Sequence, residues 1–169
     1  MLLLKGYRYV AAILLLAGLL SACAVRLVSD YDPSLYNRLT ALNEETLTLF
    51  SALSSGASAA SFSDQSATYD KMIGGFDALR IVADARPTPG LGMLGRFDAA
   101  LGKVCGDFDS FQDCIDVTPD NLELIVERLS GLRDRHKSSG LGPNTVAAAK
   151  QGYEVIIAQL LSLEAALKR

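Results

Sequence analysis

Hydrophobic positions recur along this chain at intervals of three and four residues, in four separate stretches. Because an α-helix has 3.6 residues per turn, each stretch predicts a helix with one buried stripe. The predicted stripes are Leu35, Leu39, Leu42, Thr46, Leu49 and Leu53; Tyr69, Met72, Ile73, Phe76, Leu79 and Ala83; Leu122, Ile125, Leu129, Leu132 and His136; and Val146, Ala149, Tyr153, Ile156, Leu160, Leu163 and Leu167. No stretch alternates with a period of two for long enough to predict a strand.

Prolines and glycines mark the boundaries of these helices. Asp32 is a typical N-cap residue. Pro33 suits the first helical position, because the N–H that proline lacks would have no partner within the helix there. Thr118-Pro119 and Gly142-Pro143 are similar starts. The second helix is expected from Ser63 after a loop of small residues, and the prolines after Arg86 end it. Gly140 is expected to end the third helix.

A shorter helical insert is predicted between Met93 and Cys114. Its apolar residues are again spaced by three and four: Leu94, Phe97, Leu101, Val104, Phe108 and Phe111. Gly102 and Gly106 predict a break, so we expect a helix to about Cys105 and then a bent segment. The fold class is therefore all-α, an antiparallel bundle of about four long helices plus this insert, over residues 32–169.

The first 23 residues have the features of an export signal. Lys5 and Arg8 precede an apolar run, Val10–Leu20, of about eleven residues. A helix that crosses the hydrocarbon core needs about 20 residues, so the run is typical of a signal peptide. It ends in Leu20-Ser21-Ala22-Cys23, which resembles the lipobox of bacterial lipoproteins.

This resemblance implies a specific processing of the N-terminus. Residues 1–22 would be the signal peptide, cleaved between Ala22 and Cys23, and residues 23–31 a tether lipidated at Cys23. The membrane would then be a partner through the lipid. Ala24 favours the outer membrane, facing the periplasm, because the enteric sorting rule retains proteins with aspartate at this position in the inner membrane. An uncleaved membrane anchor with a chance cysteine is the alternative.

Two cysteines remain for an oxidising compartment. We expect Cys105 and Cys114 to form a disulfide there. Nine residues of unbroken helix rise about 13.5 Å, whereas a disulfide needs Cα atoms within about 7 Å. The bond therefore requires a bend between the cysteines, and two free buried thiols are the alternative.

Charge argues against nucleic acid as a partner. The leader holds two of the sixteen basic residues, which leaves fourteen against nineteen acidic ones, a formal charge of about −5. Basic residues do gather on the third helix, at Arg128, Arg133, Arg135 and Lys137. We interpret them as a solvated face, with a partner-binding patch as the alternative.

No motif predicts an enzyme, a metal site or a cofactor. His136 is the only histidine, has no nearby partners in the sequence, and suits the C-terminal end of its helix. The acidic residues Asp107, Asp109, Asp113 and Asp116 lack the EF-hand pattern, since Gln112 stands where that loop needs glycine. The sequence Gly90–Gly95 matches G-x-G-x-x-G but follows a proline-rich loop rather than a strand.

Two functions from different classes fit these observations. The first is a non-enzymatic, membrane-anchored envelope lipoprotein that acts as a structural or protein-binding module, with another envelope protein as its partner. The second is a carrier or sensor of a small apolar ligand. Its pocket would lie between helices and be lined by Phe76, Phe97, Phe108 and Phe111.

Overall fold

Four long helices form the part of the chain that the computed structural model describes, residues 29–87 and 116–168. They are α1 (Pro33–Ala52), α2 (Phe62–Asp84), α3 (Thr118–Ser139) and α4 (Pro143–Leu167), and a short 3-10 helix, Ala59–Ser61, precedes α2. The predicted all-α class is confirmed. The predicted insert lies outside the described residues.

Each helix packs against two neighbours in a closed ring, α1 to α2, α2 to α3, α3 to α4 and α4 back to α1. Side chains at the end of α2, just before α3 and near the end of α4 meet at one end of the bundle. The loops 53–61 and 140–142 meet at the other. The topology is therefore up-down-up-down. We call these the exit end, where residues 29, 87 and 116 lie, and the loop end.

The helices begin and end close to where local signals place them. The Asp32 side chain accepts hydrogen bonds from the backbone N–H groups of Ser34 (2.8 Å) and Leu35 (3.2 Å), which caps α1 as predicted. The starts of α3 and α4 at Thr118 and Pro143 are also confirmed. α2 begins at Phe62, one residue before the predicted start.

The two loops at the loop end are joined by an isolated antiparallel bridge. Ala57 N–H donates to the Leu141 carbonyl (2.8 Å), and Leu141 N–H donates to the Ala57 carbonyl (2.7 Å). Glycines with positive φ stand beside both partners, Gly56 at 91° and Gly140 at 78°. A Cβ atom on Gly140 would lie 2.7 Å from the Ala57 carbonyl oxygen, so only glycine permits this approach.

The core consists mostly of the predicted stripes, with differences on three helices. Phe50 is buried on α1 although it is outside the stripe, and Ile73 on α2 is only half-buried. On α4, Ile157 is buried outside the stripe, and Ala149 and Leu167 within the stripe are only half-buried. On α4 the sequence predicts Leu163 in the core, but that prediction is wrong, because Leu163 is half-buried and the buried residue is Glu164. The last difference introduces a charge into the interior.

Candidate functional site

A buried polar cluster lies at the exit end. Its members come from four parts of the described chain: Ser29, Arg86, Asp116, Thr118 and Glu164. Arg86 stands two residues past α2, Thr118 opens α3, and Glu164 lies in the last turn of α4. We call these five residues the exit-end cluster.

Arg86 is shared by two carboxylates in this cluster. Its Nη2 donates to Glu164 Oε1 at 2.8 Å, and its Nη1 lies 3.5 Å from Asp116 Oδ2. The hydroxyl of Thr118 also donates to Glu164 Oε1, at 3.1 Å. Asp116 accepts hydrogen bonds from the Ser29 hydroxyl (2.9 Å) and from the Thr118 backbone N–H (3.0 Å). The cluster thus links the segment before α1 to three helix ends.

Burial makes this cluster energetically important. The Glu164 side chain is fully buried, and the Arg86 side chain is 8% exposed. Glu164 Oε2 and Arg86 Nε have no hydrogen-bond partner among the described residues. Removing one member of a buried ion pair leaves a charge in a medium that solvates it poorly, so each partner depends on the other. Chemically, the cluster joins the segment before α1 to the ends of α2 and α4 and to the start of α3.

A second polar group surrounds His136 near the loop end. His136 is fully buried at the end of its predicted stripe. Its Nε2 lies 3.1 Å from the Ser58 carbonyl oxygen and 3.3 Å from Ser61 Oγ, and its Nδ1 lies 3.3 Å from the Tyr69 hydroxyl. The rings of Phe62 and Tyr69 pack against the imidazole, with centroids at 5.6 and 5.9 Å.

These contacts assign the tautomer of His136. A carbonyl oxygen only accepts, so Nε2 carries the proton that faces Ser58, and in the neutral imidazole Nδ1 accepts a hydrogen bond from the Tyr69 hydroxyl. Burial raises the pKa of Tyr69 to about 12, which keeps that hydroxyl protonated and able to donate. Ser61 Oγ donates to the Ser58 carbonyl at 2.8 Å. Because the Ser61 hydroxyl donates to Ser58 rather than to His136, the two residues are not arranged as nucleophile and base. Through its contact with the Ser58 carbonyl, His136 connects the loop before α2 to α3.

A shallow groove runs between α1 and α2, with a volume of about 480 Å³. Leu49 and Met72 form its buried floor, and Lys71 bridges to Glu45 across it at 2.9 Å. Its remaining lining residues have small or uncharged side chains: Thr48, Ala52, Gln65, Ala67 and Thr68. We call these nine residues the α1–α2 groove.

The residues singled out from the sequence are only partly described. Arg133 pairs with Asp70 and Asp134, at 3.4 and 3.0 Å, and Arg128, Arg135 and Lys137 are exposed, so both the solvated face and the partner-binding patch stay predictions. The following lie outside the described residues: Ala22, Cys23, Ala24, Gly90–Gly95, Cys105, Asp107, Asp109, Asp113 and Cys114.

The aromatic pocket predicted for an apolar ligand has one described member. Phe76 is fully buried and packs edge-on against Tyr153, with ring centroids 6.2 Å apart. It is therefore part of the packed core among the described residues, and the predicted pocket stays a prediction. Phe97, Phe108 and Phe111 lie outside the described residues.

Comparisons with protein-family models, curated proteins and solved structures found no significant match to this chain. Within residues 29–87 and 116–168, no cluster of three or more His, Cys, Asp or Glu side chains is placed to hold a metal ion. None of the four described helices is long and apolar enough to span a membrane.

Proposed function

We propose that this protein is a lipid-anchored lipoprotein of the cell envelope, on the periplasmic side of the outer membrane, that binds another envelope protein without catalysing a reaction. One observation carries the proposal: Ser29, six positions after Cys23, is bound at the exit end, whereas the α1–α2 groove lies in the half nearer the loop end. Anchor and binding surface are thus separated along the bundle.

The anchor side of the proposal rests on the lipobox-like sequence and on Ser29. Cys23 precedes Ser29 by six residues, and the Ser29 hydroxyl is bound to Asp116 in the exit-end cluster. A lipid on Cys23 would therefore hold the exit end toward the membrane and leave the loop end pointing away. Two or three acyl chains give the stable attachment that a single chain does not.

The binding side rests on the shape and chemistry of the α1–α2 groove. Small side chains, Ala52 and Ala67 among them, leave a trough above Leu49 and Met72. The opposite charges of its one ion pair, Glu45 with Lys71, cancel, so the groove has no net charge. A partner that presents an apolar helix face fits such a surface, in the helix-in-groove mode of recognition.

Replacement of Cys23 tests the anchor. Cys23→Ser removes the thiol that would accept the lipid, so we expect the variant to lose its acyl mass and to leave the membrane fraction. The control variant Cys105→Ser removes another cysteine. It should keep both the acyl mass and its place in the membrane fraction. Intact mass of the detergent-extracted chain and fractionation report the result. A native chain that starts before Cys23, or starts there without acyl mass, contradicts the anchor.

Photo-crosslinking tests the binding surface. A benzoylphenylalanine at Ala67, an exposed groove residue, should give one discrete crosslinked product in intact cells. The same group at Ala147, exposed on α4 outside the groove, is the matched control and should give none. Equal products from both positions, or none from Ala67, would count against a partner in the groove.

A further inference from the structure

Large apolar side chains are exposed at the exit end. Among the described residues three large apolar side chains are about half exposed, two of them at this end: Ile81 (56%), Val82 (47%) and Val155 (56%). Ile81 and Val82 are adjacent in the last turn of α2, whereas Val155 lies near the middle of α4. The helix end therefore presents two neighbouring apolar side chains to solvent, and a contact that covers them would be favourable. We call the first two the Ile81–Val82 patch.

The chain itself connects this patch to the place of the lipid. Ser29 is bound to Asp116, and Asp116 lies 3.5 Å from Arg86, which follows the patch by four residues. Cys23 lies six positions before Ser29, and a fully extended chain of that length reaches about 20 Å at most. An acyl group on Cys23 therefore keeps the patch close to the surface of the bilayer.

The charges at the exit end favour one kind of lipid headgroup. Asp30, Asp32 and Asp84 lie there together with Lys168, which is exposed at the end of α4. Asp77 and Arg80 form an ion pair at 2.9 Å. Arg86 is buried among carboxylates. A surface with this balance is repelled by anionic headgroups, so its apolar contact suits zwitterionic ones.

We propose that the Ile81–Val82 patch inserts into a zwitterionic lipid surface and seats the exit end on the membrane. The inference rests on the proposed function, since it requires the lipid on Cys23. The anchored domain then has a defined side against the bilayer, with the α1–α2 groove held away from it.

Tryptophan fluorescence tests the contact, because the chain has no tryptophan. Ile81→Trp is the reporter and Val155→Trp the matched control, since both positions are equally exposed and Val155 is about 18 Å from the end of α4. Each full-length acylated chain is placed in phosphatidylcholine vesicles with and without brominated acyl chains. Bromine should lower the emission of Trp at position 81 about twofold and leave that at position 155 unchanged, because only groups at the acyl boundary meet the quencher.

The outcomes separate this inference from the proposal on which it rests. Acylated chains in which both tryptophans are quenched equally, or neither is, overturn the contact while leaving the anchor in place. Chains without acyl mass overturn the anchor itself. Added anionic lipid should reduce quenching at position 81 at low salt, and an increase would show electrostatic attachment and overturn the apolar contact.

Discussion

Replacing Arg86 with methionine should lower the free energy of unfolding by about 3–5 kcal/mol, because it leaves a fully buried Glu164 without its counter-charge. Urea unfolding followed by circular dichroism measures the change. The double variant Arg86→Met with Glu164→Leu should recover most of the loss, since apolar residues of similar volume replace a buried pair at little cost.

An exposed ion pair provides the control for this experiment. Lys150 and Glu154 lie 3.5 Å apart on the surface of α4, both about half exposed. Lys150→Met should change the free energy of unfolding by no more than about 0.5 kcal/mol, as for other surface pairs. If Arg86→Met costs as little as Lys150→Met, water must reach the exit-end cluster and the cluster does not fasten the bundle.

Replacing Gly140 with alanine should cost about 2–4 kcal/mol in the free energy of unfolding. The residue has φ 78° and ψ 179°, a conformation that is nearly restricted to glycine and costs other residues about 1–3 kcal/mol. The new Cβ would also meet the Ala57 carbonyl oxygen at 2.7 Å, and a backbone atom cannot move aside as a side chain can. The bridge between the two loops must therefore open or shift.

Gly142 is the matched control, two residues further along the same loop. A Cβ atom there meets nothing within 4 Å, and φ is −78°. Gly142 is the N-cap of α4, where alanine is less favourable than glycine, so Gly142→Ala should lower the free energy of unfolding by no more than about 1 kcal/mol. Thermal unfolding of both variants in parallel gives the comparison, and equal midpoints would contradict the strain assigned to Gly140.

The helices could be predicted from the sequence because their signals are local. Asp32 with Pro33, the prolines after Arg86, and Gly140 each act on the backbone within a few residues. The 3-4 spacing then gives the buried face, and neither step needs knowledge of what lies opposite. This is why the class and most boundaries of the bundle followed from the pattern.

The polar sites could not be predicted because their partners are far apart in the chain. Arg86 and Glu164 are separated by 78 residues, and periodicity treats Leu163 and Glu164 as equal continuations of the stripe after Leu160. Glu164 is the buried residue of the two because Arg86, at the end of α2, supplies its counter-charge. For His136 the stripe predicted burial correctly, while its contacts with Ser58 and Tyr69 also depend on another helix.

Cross-links at both ends of the bundle have a consequence for its register. α1 with α2, and α3 with α4, are two helical hairpins, and apolar stripes alone allow one hairpin to slip past the other by a helical turn, about 5.4 Å. The bridge between Ala57 and Leu141 joins the hairpins at one end, and the pair Arg86 and Glu164 joins them at the other. A slip would break both at once, so a single axial alignment is selected.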